Sequence, residues 1–70
     1  MDSADKRILR NALKNQRKGE RLNQALSREV SDQISGKKGY KKYIEMMDKV
    51  RERSRKEEIS LEEAAKELSK

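Results

Sequence analysis

The chain has 70 residues, of which 46% are charged and 31% hydrophobic, and its formal net charge is +6. A chain of this length forms one small domain with a thin core. Because it contains neither Cys nor His, it lacks disulfides, thiol nucleophiles, the usual neutral-pH base and the commonest metal ligand. We therefore expect no enzymatic activity, no cofactor and no metal site.

The first half of the sequence predicts two helices. SADKRILRNALKNQRKG has apolar residues at helical spacing, with Asp2 or Ser3 as the N-cap and Gly19 as the stop. RLNQALSREVSDQISG carries a second apolar face. The two faces stay in phase through Gly19, so a continuous helix is the alternative to the break that we expect there.

The second half predicts a turn and two further helices. We interpret GKKG, residues 36–39, as a linker, and the following YKKYIEMMDKVRERSRKE has the strongest helical pattern in the chain. Near the end, Ser60 and Glu63 match a capping box, with Ile59 and Ala64 at the hydrophobic-staple positions. The predicted fold class is all-α, a small bundle or extended arrangement of three to four helices, with boundaries near residues 19, 36–39 and 57–59.

Charge divides the chain into two parts within a single domain. Residues 1–56 form a basic helical body with 17 Lys/Arg against 8 Asp/Glu, a net of +9. Residues 57–70, the acidic capped C-terminal helix, have 2 against 5, a net of −3. Either the body meets a polyanion, or the tail folds back on the body as an internal counter-charge.

Basic residues of the body are the candidates for contact with DNA or RNA. Lys and Arg neutralise phosphates and release counterions, which gives affinity without sequence specificity. Lysines on small charged helices also serve solubility alone, and this interpretation stays open. The candidate residues are Arg7, Arg10, Lys14, Arg17, Lys18, Lys37, Lys38, Lys41 and Lys42.

Tyr40 and Tyr43 lie among these lysines and have two interpretations. Aromatic rings beside positive charge can stack on nucleic-acid bases. Both tyrosines also share a helical face with Ile44, Met47 and Val50. We therefore expect Tyr43 at least to pack in the core with its hydroxyl group at the surface.

The C-terminal helix is the candidate site for a protein partner. Isolated helices shorter than about 12–15 residues are marginal in water, so this one must pack on the body or on another protein. Because a thin core leaves apolar stripes to bury between chains, we expect a homo-dimer or hetero-complex. The candidate partner residues are Ile59, Leu61, Ala64, Ala65 and Leu68.

Two segments resemble known families. YKKYIEMMDKVRERSRKEEISLEEAAKELSK resembles the toxin-binding tails of type II antitoxins, especially the prevent-host-death family. This resemblance implies a tail that docks on a toxin and orders upon it, although the N-terminal half does not resemble that family's DNA-binding domain. RLNQALSREVSDQI is similar to the strand and first helix of ribbon-helix-helix repressors, but Gln24 interrupts the strand's apolar alternation.

These patterns favour an interaction protein. No apolar run approaches the roughly 20 residues that cross a bilayer, and none follows MDSADKR as a signal peptide, so we expect a cytoplasmic protein with no membrane partner. The leading hypothesis is a small antitoxin- or inhibitor-type protein that binds a protein partner, a toxin or another target, and also nucleic acid. The alternative is a phage- or plasmid-type nucleic-acid-binding regulator in which the acidic tail is only a fold-back brace.

Overall fold

The computed structural model describes residues 1–70 and contains four helices and no strand. The helices are α1 (Ser3–Asn15), α2 (Leu22–Gln33), α3 (Gly36–Glu57) and α4 (Leu61–Leu68). The predicted all-α class is confirmed. Each of α1 and α3 packs on both α2 and α4, so the helices form a closed ring of neighbours. None of them is both long and apolar enough to span a membrane.

All four helices contribute to one core of 12 buried hydrophobic residues. Leu9, Leu26 and Met47, from three different helices, have no exposed surface. The core contains four alanines and two methionines. Alanines let short helices approach closely, and flexible methionines fill the irregular gaps that remain.

The chain breaks between α1 and α2, as predicted at Gly19. Gly19 has a φ of +81°, which a residue without a Cβ adopts at no steric cost. The Glu20 carboxylate closes the turn, because it accepts hydrogen bonds from the Arg17 N–H at 2.9 Å and from the Arg28 guanidinium. Arg28 also donates to the carbonyl oxygen of Asn15 at 3.0 Å. The continuous-helix alternative is therefore wrong.

The predicted linker, residues 36–39, is instead the first turn of α3, and the chain turns earlier, at Ile34 and Ser35. Gly36 has a φ of +71°, which reverses the chain after α2. Gly39 is buried at the end of α2, where an added Cβ would lie 2.2 Å from the carbonyl oxygen of Ile34. The two glycines thus serve a turn and a close helix approach rather than a flexible connection.

The ribbon-helix-helix comparison is also contradicted, since its strand lies within a helix. Leu22, Ala25, Leu26 and Val30 are buried side chains of α2. Their spacing of one, three or four residues places them on one helical face. Gln24 interrupts the alternation expected of a strand because this segment is a helix, and Gln24 is not among its buried residues.

The N-termini of α1 and α4 are capped by side chains. The Asp2 carboxylate accepts a hydrogen bond from the Asp5 N–H at 2.8 Å, and this bond lowers the pKa of Asp2 below 3.8. The Ser60 hydroxyl accepts from the Glu63 N–H at 3.1 Å, so the Ser60 half of the capping box predicted for α4 is present. The Glu63 side chain does not accept a hydrogen bond from the Ser60 N–H in return. Ser35, which precedes α3, makes no side-chain cap bond.

α4 folds back on its own chain. Ala64 and Ala65 have no exposed surface, and Ile59, Leu61 and Leu68 pack against the core while staying partly exposed. The eight-residue helix, too short to be stable alone, is therefore stabilised by α1 and α3.

Polar contacts hold the end of α4 in place. Arg10 of α1 donates to the carbonyl oxygen of Ser69 at 2.7 Å. Arg53 of α3 places Nη1 3.1 Å from a carboxylate oxygen of Glu67 and 3.1 Å from one of Glu57. The acidic end of the chain thus lies against arginines of the basic body.

Candidate functional site

The nine basic residues proposed for nucleic-acid contact do not form one patch. Arg17 and Lys18 precede α2, whereas Lys37 and Lys38 follow it. Because α2 has 12 residues, its ends are about 18 Å apart. The structure therefore separates Arg17 and Lys18 from Lys37 and Lys38 by the length of α2.

Two of the nine are engaged within the chain. Arg10 binds the end of α4 through Ser69. Lys42 places Nζ 3.2 Å from Oδ1 of Asp5 and donates a hydrogen bond to Oδ2 at 3.5 Å, and this hydrogen bond raises the pKa of Lys42. The other seven are exposed and form no salt bridge, so they are available to an anion: Arg7, Lys14, Arg17, Lys18, Lys37, Lys38 and Lys41.

An apolar pair lies among lysines on the solvent side of α3. Tyr40 and Ile44 are 69% and 37% exposed, and they are the exposed large hydrophobic residues of the protein. Lys37 lies three residues before Tyr40, and Lys41 lies three residues before Ile44. Side chains three and four positions apart are neighbours on a helix surface. We call this set of four residues the α3 stripe.

A groove of about 740 Å³ between α2 and α3 adjoins the stripe. Its lining includes Tyr40, Tyr43, three serines and the amides of Asn23 and Gln24. No carboxylate lines it, although the chain has 13 Asp and Glu residues. The groove therefore presents hydroxyl and amide groups without the negative charge that would repel an anion.

The two tyrosines have different environments. Tyr43 is partly buried against the core, as the sequence predicted, while Tyr40 keeps most of its surface in solvent. Ile44 also lies outside the core, although it shares the predicted apolar face, and Met46 is a core residue in its place. Two residues correspond to about 200° around a helix, so Ile44 and Met46 point in nearly opposite directions.

Charge at the start of α3 is unfavourable in the free protein. The partial positive charge of a helix N-terminus favours acidic residues in the first turn, such as Asp5 in α1. The first turn of α3 has no acidic residue and contains Lys37 and Lys38. A bound anion would relieve this repulsion.

The five residues proposed for a protein partner do not form an open surface. Ala64 and Ala65 are fully buried in the protein's own core. Ile59 is tied to α3, because its carbonyl oxygen accepts a hydrogen bond from Oγ of Ser54 at 2.5 Å. No partner can contact the two alanines while α4 keeps this position.

The candidate site is thus the α3 stripe with its adjoining groove. No group of three Asp or Glu side chains lies close enough together to hold a metal ion. Comparison of the chain with protein-family models, with curated proteins and with solved structures finds no significant match.

Proposed function

We propose that the protein is a small nucleic-acid-binding regulator that contacts phosphates through the first turns of α3. The observation that carries this proposal is the α3 stripe, in which exposed lysines alternate with exposed apolar side chains beside a groove without carboxylates. In this proposal α4 braces the fold and takes no part in binding.

Electrostatics supports phosphate contact at this place. Lys37, Lys38 and Lys41 are exposed and form no salt bridge. Each phosphate that a lysine neutralises releases counterions, so affinity falls as salt is added. The positive N-terminus of α3 adds to the attraction.

A pair of matched variants tests the proposal. One variant changes Lys37, Lys38 and Lys41 to Gln, and the other changes Lys14, Arg17 and Lys18 to Gln, so each removes three positive charges. Affinity for a fluorescent oligonucleotide is measured by anisotropy as salt increases. We expect the first variant to bind more weakly, with the slope of log affinity against log salt reduced by about 2, and the second to keep most of the parent's slope. Equal losses in both variants, or no binding by the parent at low salt, would contradict the proposal.

The second candidate function is the antitoxin- or inhibitor-type binding of a protein partner, which the C-terminal resemblance implies. The observation that favours it is the partial exposure of Ile59, Leu61 and Leu68. A tail that orders only on its partner would leave the amides of α4 unprotected in the free protein. Native-state hydrogen exchange separates the candidates, because an α4 that braces the fold exchanges as slowly as the core helices.

A further inference from the structure

We infer that the protein selects unpaired over paired nucleic acid, with a base stacked on Tyr40 at the groove while Lys37 and Lys41 contact the flanking phosphates. This inference rests on the proposed function and names the class of nucleic acid that the same site takes. It follows from the position of Tyr40, the chemistry of the groove and the charge around both.

Tyr40 presents an aromatic face to solvent. It is 69% exposed, whereas Tyr43, one turn later, packs against the core. Stacking on a base requires only an accessible ring near positive charge, and Lys37 and Lys41 supply that charge as neighbours on the same helix surface. Bases inside a duplex are stacked on both faces, and only the terminal pairs offer a free face to a tyrosine on a helix surface, so this arrangement favours an unpaired strand.

The groove next to Tyr40 has room and hydrogen-bonding groups for a base. Its volume of about 740 Å³ lies in the usual range for sites that hold small organic groups. Ser27, Ser31 and Ser35 line it with Asn23 and Gln24. Hydroxyl and amide groups both donate and accept hydrogen bonds, which suits base edges of either polarity. Because no carboxylate lines the groove, it does not repel the phosphate backbone of a nucleic acid.

Two other occupants fit the site less well. An acidic peptide would satisfy the lysines but would make no use of the aromatic face. A second copy of this chain, docked by a two-fold axis on the α3 stripe, would bring Lys37 and Lys41 of both copies together, and like charges across an interface are costly.

The test compares unpaired and paired oligonucleotides of about 12 nucleotides, within the range of site sizes of single-strand-binding domains. Anisotropy is measured with oligo(dT), oligo(U) and a mixed-sequence duplex for the parent, Tyr40→Leu and Tyr40→Phe. We expect tighter binding of at least one unpaired strand than of the duplex. Tyr40→Leu should weaken that binding about five-fold or more and leave duplex binding unchanged, while Tyr40→Phe, which keeps the ring, should bind like the parent. Thermal unfolding of both variants checks that the fold is intact.

The possible failures are distinguishable. If Tyr40→Leu has no effect, or weakens strand and duplex binding equally, the inference is wrong but lysine-dependent binding stands. If no oligonucleotide binds at low salt, the proposed function itself is wrong. Tyr40-dependent binding of poly-glutamate with the same affinity as the strands would overturn the inference in favour of an acidic protein partner.

Discussion

At the scale of single residues, Gly39 is the glycine with the least space for a side chain. It lies in a helix, where alanine is normally more stable than glycine by about 1 kcal/mol. Here a Cβ would lie 2.2 Å from the carbonyl oxygen of Ile34, and a backbone atom cannot move away as a flexible side chain would. The contact therefore outweighs the helical preference.

We predict that Gly39→Ala lowers the free energy of unfolding by about 1–3 kcal/mol, the usual cost of overpacking. Urea unfolding followed by circular dichroism measures this change. Lys38→Ala is the matched control, because Lys38 is exposed on the same helical turn, and it should not lower the free energy of unfolding. A Gly39→Ala protein as stable as the parent would show that α3 does not approach α2 in this way.

Glu20 ties stability to pH at the α1–α2 turn. Its hydrogen bonds, first with the Arg28 side chain and then with the Arg17 N–H, lower the pKa of Glu20 below 4.5. A carboxylate with a lowered pKa in the folded state stabilises the fold above its unfolded pKa. That stabilisation is lost as the pH falls from about 4.5 through the lower value of the folded state.

We predict that the free energy of unfolding of Glu20→Gln falls less than that of the parent between neutral pH and about pH 3. The variant has no carboxylate at position 20 that could be protonated in this range. Arg28→Gln should reduce this fall as well, because it removes the partner of the same carboxylate. Urea unfolding at a series of pH values measures both effects. A Glu20→Gln variant with the parent's pH dependence would mean that the turn is not held by this ion pair.

At the scale of elements, α4 is an internal brace. Its N-cap is Ser60, and Leu61 packs against the core at its start. We predict that Ser60→Ala costs about 1 kcal/mol. Leu61→Ala should cost about 1–2 kcal/mol, less than the 2–5 kcal/mol of a fully buried leucine.

Thermal unfolding of the free chain measures these losses, since each 1 kcal/mol shifts the Tm of a domain this size by about 4–8 °C. Lys66→Ala is the control, because Lys66 is exposed and forms no salt bridge. If neither Ser60→Ala nor Leu61→Ala changes the melting of the free protein, α4 does not brace the body and the partner-docking hypothesis gains support.

Under the proposed function, the lysines at the start of α3 favour binding and lower the stability of the free protein. Lys37 and Lys38 lie where the helix dipole disfavours positive charge. We therefore predict that Lys37→Glu and Lys38→Glu each raise the free energy of unfolding by about 0.3–1 kcal/mol while weakening oligonucleotide binding. Thermal unfolding and anisotropy on the same samples measure the two effects. Loss of stability in these variants would indicate that the lysines have a structural role instead.

Local sequence patterns predict most of the helices but not which residues of different helices pack against one another. The Ser60 cap and the break at Gly19 depend on residues close in sequence, and both are present. The role of Gly39 depends on its approach to the carbonyl oxygen of Ile34, the C-cap of α2. This approach depends on how the chain turns between α2 and α3, which a helical pattern does not specify. Exposure of Tyr40 likewise depends on how α3 is rotated against α2, so periodicity alone could not separate it from Tyr43.

At the scale of the whole molecule, the four apolar faces cover one another within a single chain. The expectation of a homo-dimer or hetero-complex rests on apolar helix faces that a thin core leaves unburied, and this fold buries those faces within one chain. The acidic end of the chain lies against Arg10 and Arg53. The lysines of the α3 stripe meet no such counter-charge and remain the exposed basic surface beside the groove.

The central claim is that nucleic acid contacts the α3 stripe and its groove and leaves α4 in place. Titration of the isotope-labelled protein with an unpaired oligonucleotide, followed by amide chemical shifts, tests it most directly. We predict that the largest amide shifts fall at the groove-lining residues of α2, from Asn23 to Ser31, and at residues 35–44. The amide signals of residues 61–68 should not move. The largest shifts in α4, or equal shifts around Arg17 and Lys18 at the far end of α2, would contradict the claim.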